Sequence, residues 1–358
     1  MSGMKWYIAR RTIWAIIVLW ITLSVTWMLL ELSPNQGELQ AAQQAAMQGQ
    51  DADKAIEDYK KREGLDKPAH ERYLSYMVNM YTLNWGYSTE WDKNVISLFL
   101  DRWPFTLQYI LPSTMLTMLV GYGLGLYSAL NQYDRSDYVA TFIAFFGLSI
   151  PNFWFAIVLV LITAVWFSDL VLFGVDMSMF QLPVFYKSEV INTSETITIM
   201  GIELVRGGWF TFDNVKQLLL PVIVISTAGF AANMRYARAY TLEYANAEFV
   251  KTARAKGANS IAVTRHILRV ALVPLSTILV FQLLSVFATG TVVIEFIFSI
   301  PGLGQVTYLS FVNQDTPVIL GITVIGVFVA LFGFLLQDIA YVYLDPRIDY
   351  GDRTGGAG

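Results

Sequence analysis

Thr12 to Leu32 is a nearly unbroken apolar run. At about 20 residues such a run crosses a bilayer as one helix. Comparable runs recur at about Thr106–Leu130, Val139–Phe167, Leu218–Arg235, Ile267–Ile294 and Pro317–Tyr343. A chain of 358 residues that is 55% hydrophobic and only 15% charged lies outside the balance of soluble domains. It reads as an all-α integral membrane protein with about six transmembrane helices. No Ala-x-Ala cleavage site follows the first run, so an uncleaved span is expected rather than a signal peptide. The absence of cysteine excludes disulfides, thiolate metal sites and a cysteine nucleophile.

Charge orients the spans. Lys5, Arg10 and Arg11 precede the first run and hold the N-terminus in the cytoplasm. Alternation then puts residues 33–102 outside, 131–137 inside, 168–215 outside and the C-terminus inside. Taken together, the pieces assigned to the cytoplasm carry an excess of Lys/Arg, most of it in the N-terminus and the Arg235–Arg269 stretch, while the rest of the chain carries an excess of Asp/Glu.

The external stretch 33–102 is helical in propensity from Gly37 to Arg62, turns at Gly64–Pro68, and continues as an aromatic-rich helix to Tyr81. In the second run, Gly121 and Gly125 make a small-xxx-small face for close helix packing. Ser149-Ile150-Pro151-Asn152 interrupts the third run, where a proline kink buried against other helices is expected. Residues 195–205 alternate apolar and polar, which predicts a small hairpin. Beyond the fifth run, Pro301-Gly302-Leu303-Gly304 forces a tight re-entry of the chain.

The longest polar interruption of the second half runs from Glu243 to Leu275. Seven Lys/Arg lie between Arg235 and Arg269, answered by Glu243 and Glu248 only. Good helix formers extend from Glu243 to Lys256, Gly257 supplies a stop, and Asn259-Ser260 can cap a new helix. This predicts a short exposed cytoplasmic helix slung between two spans.

Three separated motifs carry a resemblance over about residues 8–348. Lys251-Thr252-Ala253-Arg254-Ala255-Lys256-Gly257, followed by Arg265-His266-Ile267-Leu268-Arg269, resembles the EAA loop of ABC-importer permeases in the form used by the dipeptide/oligopeptide/nickel branch. Glu295 to Gly304 is similar to that branch's ETxFxxPGLG segment, and Leu344-Asp345-Pro346-Arg347-Ile348 to its terminal LDPRI. Ser149, Pro151, Phe153 and Trp154 match a further S-x-P-x-F-W pattern. The chain departs where Ser33-Pro34-Asn35 stands for PGDP and Asn84-Trp85-Gly86-Tyr87-Ser88 for a GDLGxS-like segment.

The resemblance implies a type I (MetI-like) permease fold. Its layout would be 1–32 as N-terminus and first span, 33–102 as an external helical region, 103–348 as the core permease, and 349–358 as a cytoplasmic tail. The core would include a coupling loop at 236–266 and an external loop at 295–316. By resemblance, Phe249, Val250, Lys251, Thr252, Ala253, Arg254, Ala255, Lys256 and Gly257 couple to the ATPase. Pro301, Gly302, Leu303, Gly304 and Gln305 face the binding-protein side. The implied partners are a second permease of similar fold, two cytoplasmic ATPases, an external substrate-binding protein, a peptide substrate and the lipid bilayer, with no nucleic acid. The chain itself would bind no cofactor or metal; ATP and Mg would sit on the ATPases.

Enzymatic signatures are missing. There is no G-x-x-x-x-G-K-[ST] and no HExxH, and His70 and His266 fall on opposite sides of the membrane by this topology. A permease subunit without its own ATPase site is expected. Gln282, Ser285 and Thr289 share one helical face of the fifth run, and either line a hydrophilic path or bond between helices. Other solutes of the same branch (a nickel chelate, glutathione, a sugar) remain open. An ion-driven secondary transporter is a different class, and would call for a mid-span carboxylate and an internal repeat.

Overall fold

A computed structural model describes the chain except for Met1, residues 33–35, 63, 89, 167–170, 173–174, 177–181, 193–195, 200–201, 206–207, 210, 287–290 and 345–358. The Ser33-Pro34-Asn35 segment, Thr289, most of LDPRI and the Gly-rich tail therefore lie outside the described residues. The described helices are α1 (Ser2–Leu32), α2 (Gln36–Met47), α3 (Ala52–Arg62), α4 (Ala69–Tyr81), α5 (Val95–Leu130), α6 (Arg135–Ser149), α7 (Asn152–Leu161), α8 (Glu189–Asn192), α9 (Phe212–Ala245), α10 (Glu248–Ala255), α11 (Ser260–Ser285), α12 (Val292–Ile297), α13 (Leu303–Val312) and α14 (Thr316–Leu344). Three two-stranded antiparallel hairpins pair β1 (Tyr87–Ser88) with β2 (Lys93–Asn94), β3 (Val171–Leu172) with β4 (Val175–Asp176), and β5 (Thr196–Ile199) with β6 (Ile202–Val205). The last is the expected hairpin, in the register Thr196↔Val205.

Among the described residues, α1, α5 and α14 are each long and apolar enough to cross a membrane. Three bent pairs bring the candidate spans to six. They are α6 with α7, the two halves of α9 about Thr227–Gly229 (43°), and the two halves of α11 about Pro274 (45°). Counted with each bent pair as one span, the described residues give up to six spans, the number read from the sequence, and three of these are bent.

The chain divides into two compact units. The first comprises Met1–Asp101, Thr307–Phe332 and Asp352–Gly358. In it the polar stretch after α1 is helical as expected, but Gly49 (φ 68°) splits it into α2 and α3. Gly64 (φ 67°) and Pro68 then end α3 and start α4. An aromatic and charged seam lays α4 on α1. The Tyr73 ring meets Trp27 edge-on at 5.2 Å, its hydroxyl lies 2.7 Å from Ser24 Oγ, and Arg72 Nη1 donates to Glu31 at 2.8 Å. Farther along, Trp85 is buried and its indole N–H donates to the Met80 carbonyl at 3.1 Å. Ser88 Oγ donates to the buried Asp315 carboxylate. Gly321 lets α14 close on Trp85, Val95 and Phe99, where an added Cβ would come within 3.0 Å of all three.

The second unit comprises Arg102–Val306 and Gly333–Gly351. Its core gathers Tyr109, Ala156, Leu220, Val224, Phe298 and Ile300, all nearly inaccessible. Three elements differ from the sequence reading. The helix expected to begin at Thr106 begins at Val95, because Asp101, Arg102 and Pro104 continue the helix rather than precede it. The proline kink at 149–152 is a near right angle of 97° between α6 and α7. Ile150 (φ −87°, ψ 123°) and Pro151 (φ −60°, ψ 131°) are both extended, so the chain leaves the helical conformation instead of bending within it. The fifth run is not one helix to Ile294: α11 starts earlier, ends at Ser285, and α12 follows as a separate piece.

Helix α9 is the axis of this unit, packing on α6, α7 and α11. Its backbone lies against the glycines of α5. A Cβ at Gly125 would sit 2.5 Å from the Met234 carbonyl oxygen, and one at Gly121 would sit 2.7 Å from Asn233 Cβ. The small-residue face read from the sequence is thus the α5–α9 contact.

Candidate functional site

The basic stretch folds as a hairpin. Helix α9 runs past Arg235 to Ala245, turns at Asn246–Ala247 and gives way to α10, an eight-residue helix. This is shorter than the Glu243–Lys256 helix predicted from propensity, since Tyr244 and Ala245 belong to α9. The end of α10 is a Schellman closure: Gly257 N–H donates to the Arg254 carbonyl at 2.9 Å and Ala258 N–H to the Ala253 carbonyl at 3.1 Å. Gly257 adopts φ 79°, with open space where a side chain would stand. Asn259 then caps α11, its side-chain oxygen accepting from Ala262 N–H at 2.9 Å, as the sequence suggested.

Val250 is the inward anchor of α10. It is 1% exposed and packs with Val263 and Ile267 of α11, flanked by Tyr244, Ala245 and Ala258. The opposite face is open: Phe249, Lys251, Thr252, Arg254, Ala255, Lys256 and Gly257 are exposed, and Ala253 is half-buried. Lys251 pairs with Glu248 across one turn at 2.6 Å. At two-thirds exposure or more on both sides, such a pair contributes at most about 1 kcal/mol. The open face thus remains cationic, with one aromatic ring.

The PGLG segment is built around Glu295, a carboxylate with no exposed surface. Its Oε1 accepts from Tyr109 OH at 2.7 Å and Thr106 Oγ1 at 2.8 Å, both from α5. Its Oε2 accepts from the Gln305 backbone N–H at 2.9 Å. Thr106 Oγ1 in turn accepts from Leu303 N–H at 2.8 Å, and Arg102 reaches the Pro301 carbonyl at 3.4 Å. Gly302, Leu303 and Gly304 are buried; Pro301 and Gln305 are half-buried. The glycines serve close approach. A Cβ at Gly302 would lie 2.5 Å from both Glu295 Oε1 and Thr106 Oγ1, and one at Gly304 would lie 2.8 Å from Val292 N. The left-handed residue of the turn is Ser299 (φ 55°). The tight re-entry inferred from proline and glycine is therefore present, but a buried acid organises it.

Gln282 is committed to another helix. Its Nε2 donates to Asn233 Oδ1 at 2.9 Å and its Oε1 accepts from Asn233 Nδ2 at 3.2 Å. Asn233, on α9, has no exposed surface. Of the other two residues on that face, Ser285 ends α11 and its side chain, like Thr289, lies outside the described residues. The geometry favours the interhelical-bond reading of Gln282. Gln282→Leu should strand the Asn233 amide at a cost of about 1–3 kcal/mol. The expected result is a lower yield of assembled membrane protein in a mild-detergent size-exclusion profile, and an unchanged profile would count against this assignment.

Sequence reasoning passed over Asn233, and it counted Arg238 among the seven cations and Asp137 in the cytoplasmic turn without pairing them. Asp137 is 2% exposed and ion-paired to Arg238 at 2.8 Å. The available signal was an amide and a base inside or beside apolar runs, where unpartnered polar groups are costly.

Comparison with known proteins places this geometry. Residues 121–350 match the family described as binding-protein-dependent transport system inner membrane component, and residues 4–110 match the family described as the N-terminal part of that system's membrane component. The oligopeptide transport system permease protein AppB of Bacillus subtilis (strain 168) is 34% identical over 350 residues, covering 96% of this chain and 99% of that protein. The dipeptide transport system permease protein DppB of Alkalihalophilus pseudofirmus is 30% identical over 352 residues, with the same coverage of each. The di/tripeptide transport system permease protein DppB of Pseudomonas aeruginosa is 32% identical over 290 residues, covering 80% of this chain and 83% of that protein. The chain belongs to the family of binding-protein-dependent transport system inner membrane components. It is a multi-pass permease component of the ABC-importer class, with the MetI-like fold of that family, and not the ATPase.

Proposed function

We propose that this chain is one of two membrane subunits of an importer that moves short peptides into the cell, driven by ATP hydrolysis on separate subunits. The peptide assignment follows the relatives, whose names specify oligopeptide, dipeptide and di/tripeptide transport. The observation that carries the coupling role is the two-faced build of α10. Val250 is sunk in the hairpin, while Phe249 and the cations Lys251, Arg254 and Lys256 point away from it. A short helix held rigidly at its back and open at its front suits a groove on a cytoplasmic ATPase. Its basic charge is consistent with a cytoplasmic location, and so with both chain termini inside.

In this reading each ATPase binds ATP and Mg and closes on its neighbour, drawing the two coupling helices together. The spans rock open toward an external binding protein that releases its peptide, and hydrolysis returns the cavity to the inside. The Glu295-centred loop is the external end of the core. Because Gly302, Leu303 and Gly304 are buried, its part is to hold the ends of α5 and α12 in place, and only Pro301 and Gln305 offer surface to a partner.

The direct test is purification of this chain from its own host in mild detergent, with identification of what accompanies it. A second permease, P-loop ATPases and a binding protein are the expected companions, and a chain recovered alone and folded would sink the reading. Gly257→Val supplies a functional counterpart. A β-branched residue in the left-handed region costs about 1–2 kcal/mol, which would unwind the last turn of α10. The expected result is ATP hydrolysis that persists in the assembled complex while peptide uptake falls. Unaltered uptake per ATP would remove α10 from the coupling role.

A further inference from the structure

Ten residues before α10 begins, Arg238 of α9 meets Asp137 of α6 with Nη2 at 2.8 Å from Oδ2. The carboxylate gathers more than this one partner. Its Oδ1 accepts from Ser128 Oγ, in the last turn of α5, and from Thr141 Oγ1 at 3.3 Å. Its Oδ2 also accepts from the backbone N–H of Tyr133 at 3.0 Å. Tyr133 stands at φ 71°, a conformation bulky residues seldom adopt, so the α5–α6 turn is held where it is by that bond. One buried acid therefore ties α5, the turn after it, α6 and α9.

The site leaves α9 little room to slip. A Cβ at Gly125 would lie 2.7 Å from Ala237 Cβ and 3.1 Å from the Arg238 backbone nitrogen, so α5 and α9 are in backbone contact at this level. On one side of Arg238, α9 continues as unbroken helix to Ala245, where it joins the apolar knot around Val250. On the other side it bends by 43° about Thr227–Gly229. A displacement applied at α10 thus travels along a straight helical arm before it reaches a bend, and the Asp137–Arg238 pair lies on that arm.

We infer that Asp137 and Arg238 are positioning residues for energy coupling: they fasten the arm carrying α10 to the α5–α6 corner, so that motion of the coupling helix is delivered to the broken α6–α7 span. This rests on the importer reading above. Such a pair resists shear better than apolar contacts, because sliding by one residue leaves the buried Asp137 carboxylate without its cation, while Arg238 is partly exposed. Without the pair, the arm could flex at the glycine contacts and spend the ATPase stroke there.

The test uses the complete transporter, co-expressed with its partner subunits and reconstituted in proteoliposomes, and reads peptide taken up per ATP hydrolysed. Recovery of the wild-type complex with its ATPases comes first; failure at that step refutes the importer reading and not the pair. Arg238→Gln and Asp137→Asn are each expected to lower uptake per ATP about tenfold, a size usual between linked sites, while the ATPases still copurify. The double variant should be no worse than the worse single, since both remove one interaction. Arg238→Lys, which keeps the charge, should recover part of the loss. Wild-type uptake per ATP in Arg238→Gln, or losses that simply add in the double variant, would overturn the inference. So would loss of assembly in Arg238→Lys and Arg238→Gln alike, which would make the pair purely structural.

Discussion

Gly302→Val should abolish assembly of the membrane subunit. Its first added carbon would overlap two oxygens, Glu295 Oε1 and Thr106 Oγ1, each 2.5 Å from the Cβ position. Relief by moving either oxygen breaks the bonds that Glu295 receives from Thr106 and Tyr109, or the bond Thr106 receives from Leu303. Overpacking costs about 1–3 kcal/mol, and each buried acceptor left short of a donor adds about 1–3 kcal/mol more. Against a total stability of about 5–15 kcal/mol, that sum decides folding. The measurement is the fraction of chain recovered monodisperse in mild detergent, with Gly123→Val as the control. Gly123 also lies within an apolar helix, but nothing stands within 4 Å of its Cβ position. Equal recovery of the two variants would show that the loop yields where the geometry says it cannot.

Val250→Asp is the second large effect, and it should separate folding of the spans from their use. Val250 is 1% exposed, in a cluster confined to the α9–α11 hairpin. A carboxylate there has no partner cation in the cluster and would cost at least about 3 kcal/mol. The cheapest escape is to release α10 from its seat, because the helix has eight residues and this one buried anchor. The spans should still form, the ATPases should bind weakly or not at all, and uptake should vanish. Val250→Ala, which keeps the seat apolar, should leave binding and uptake measurable. Copurification of the ATPases at wild-type yield with the Asp variant would show that α10 docks by some face other than the one its anchor defines.

The spans were legible because a 20-residue apolar run has one structural solution in hydrocarbon, and the hairpin at 196–205 because strict alternation has one face. The Gly257 stop and Asn259 cap were legible because capping chemistry is local. What escaped depends on partners distant in sequence. Nothing near Gln282 announces Asn233, and nothing in the PGLG run announces that Glu295 sits beneath it, bonded to α5. Boundaries failed for a different reason. Asp101, Arg102 and Pro104 resemble an exit from the membrane, yet a helix long enough to leave the bilayer carries such residues in its aqueous turns. The same holds for α9 beyond Arg235.

Two glycines in this chain resist substitution for unrelated reasons. At Gly302 the obstacle is volume, since the place an L side chain would take is already filled by Glu295 and Thr106. At Gly257 there is room; the obstacle is handedness, since only φ 79° is at odds with an L-residue. The position is therefore selective by chirality alone. Asparagine, the L-residue that best tolerates this conformation, is the natural variant to look for there, and a semisynthetic D-alanine, for which positive φ is the ordinary conformation, would narrow the unfolded chain's choices without opposing the turn.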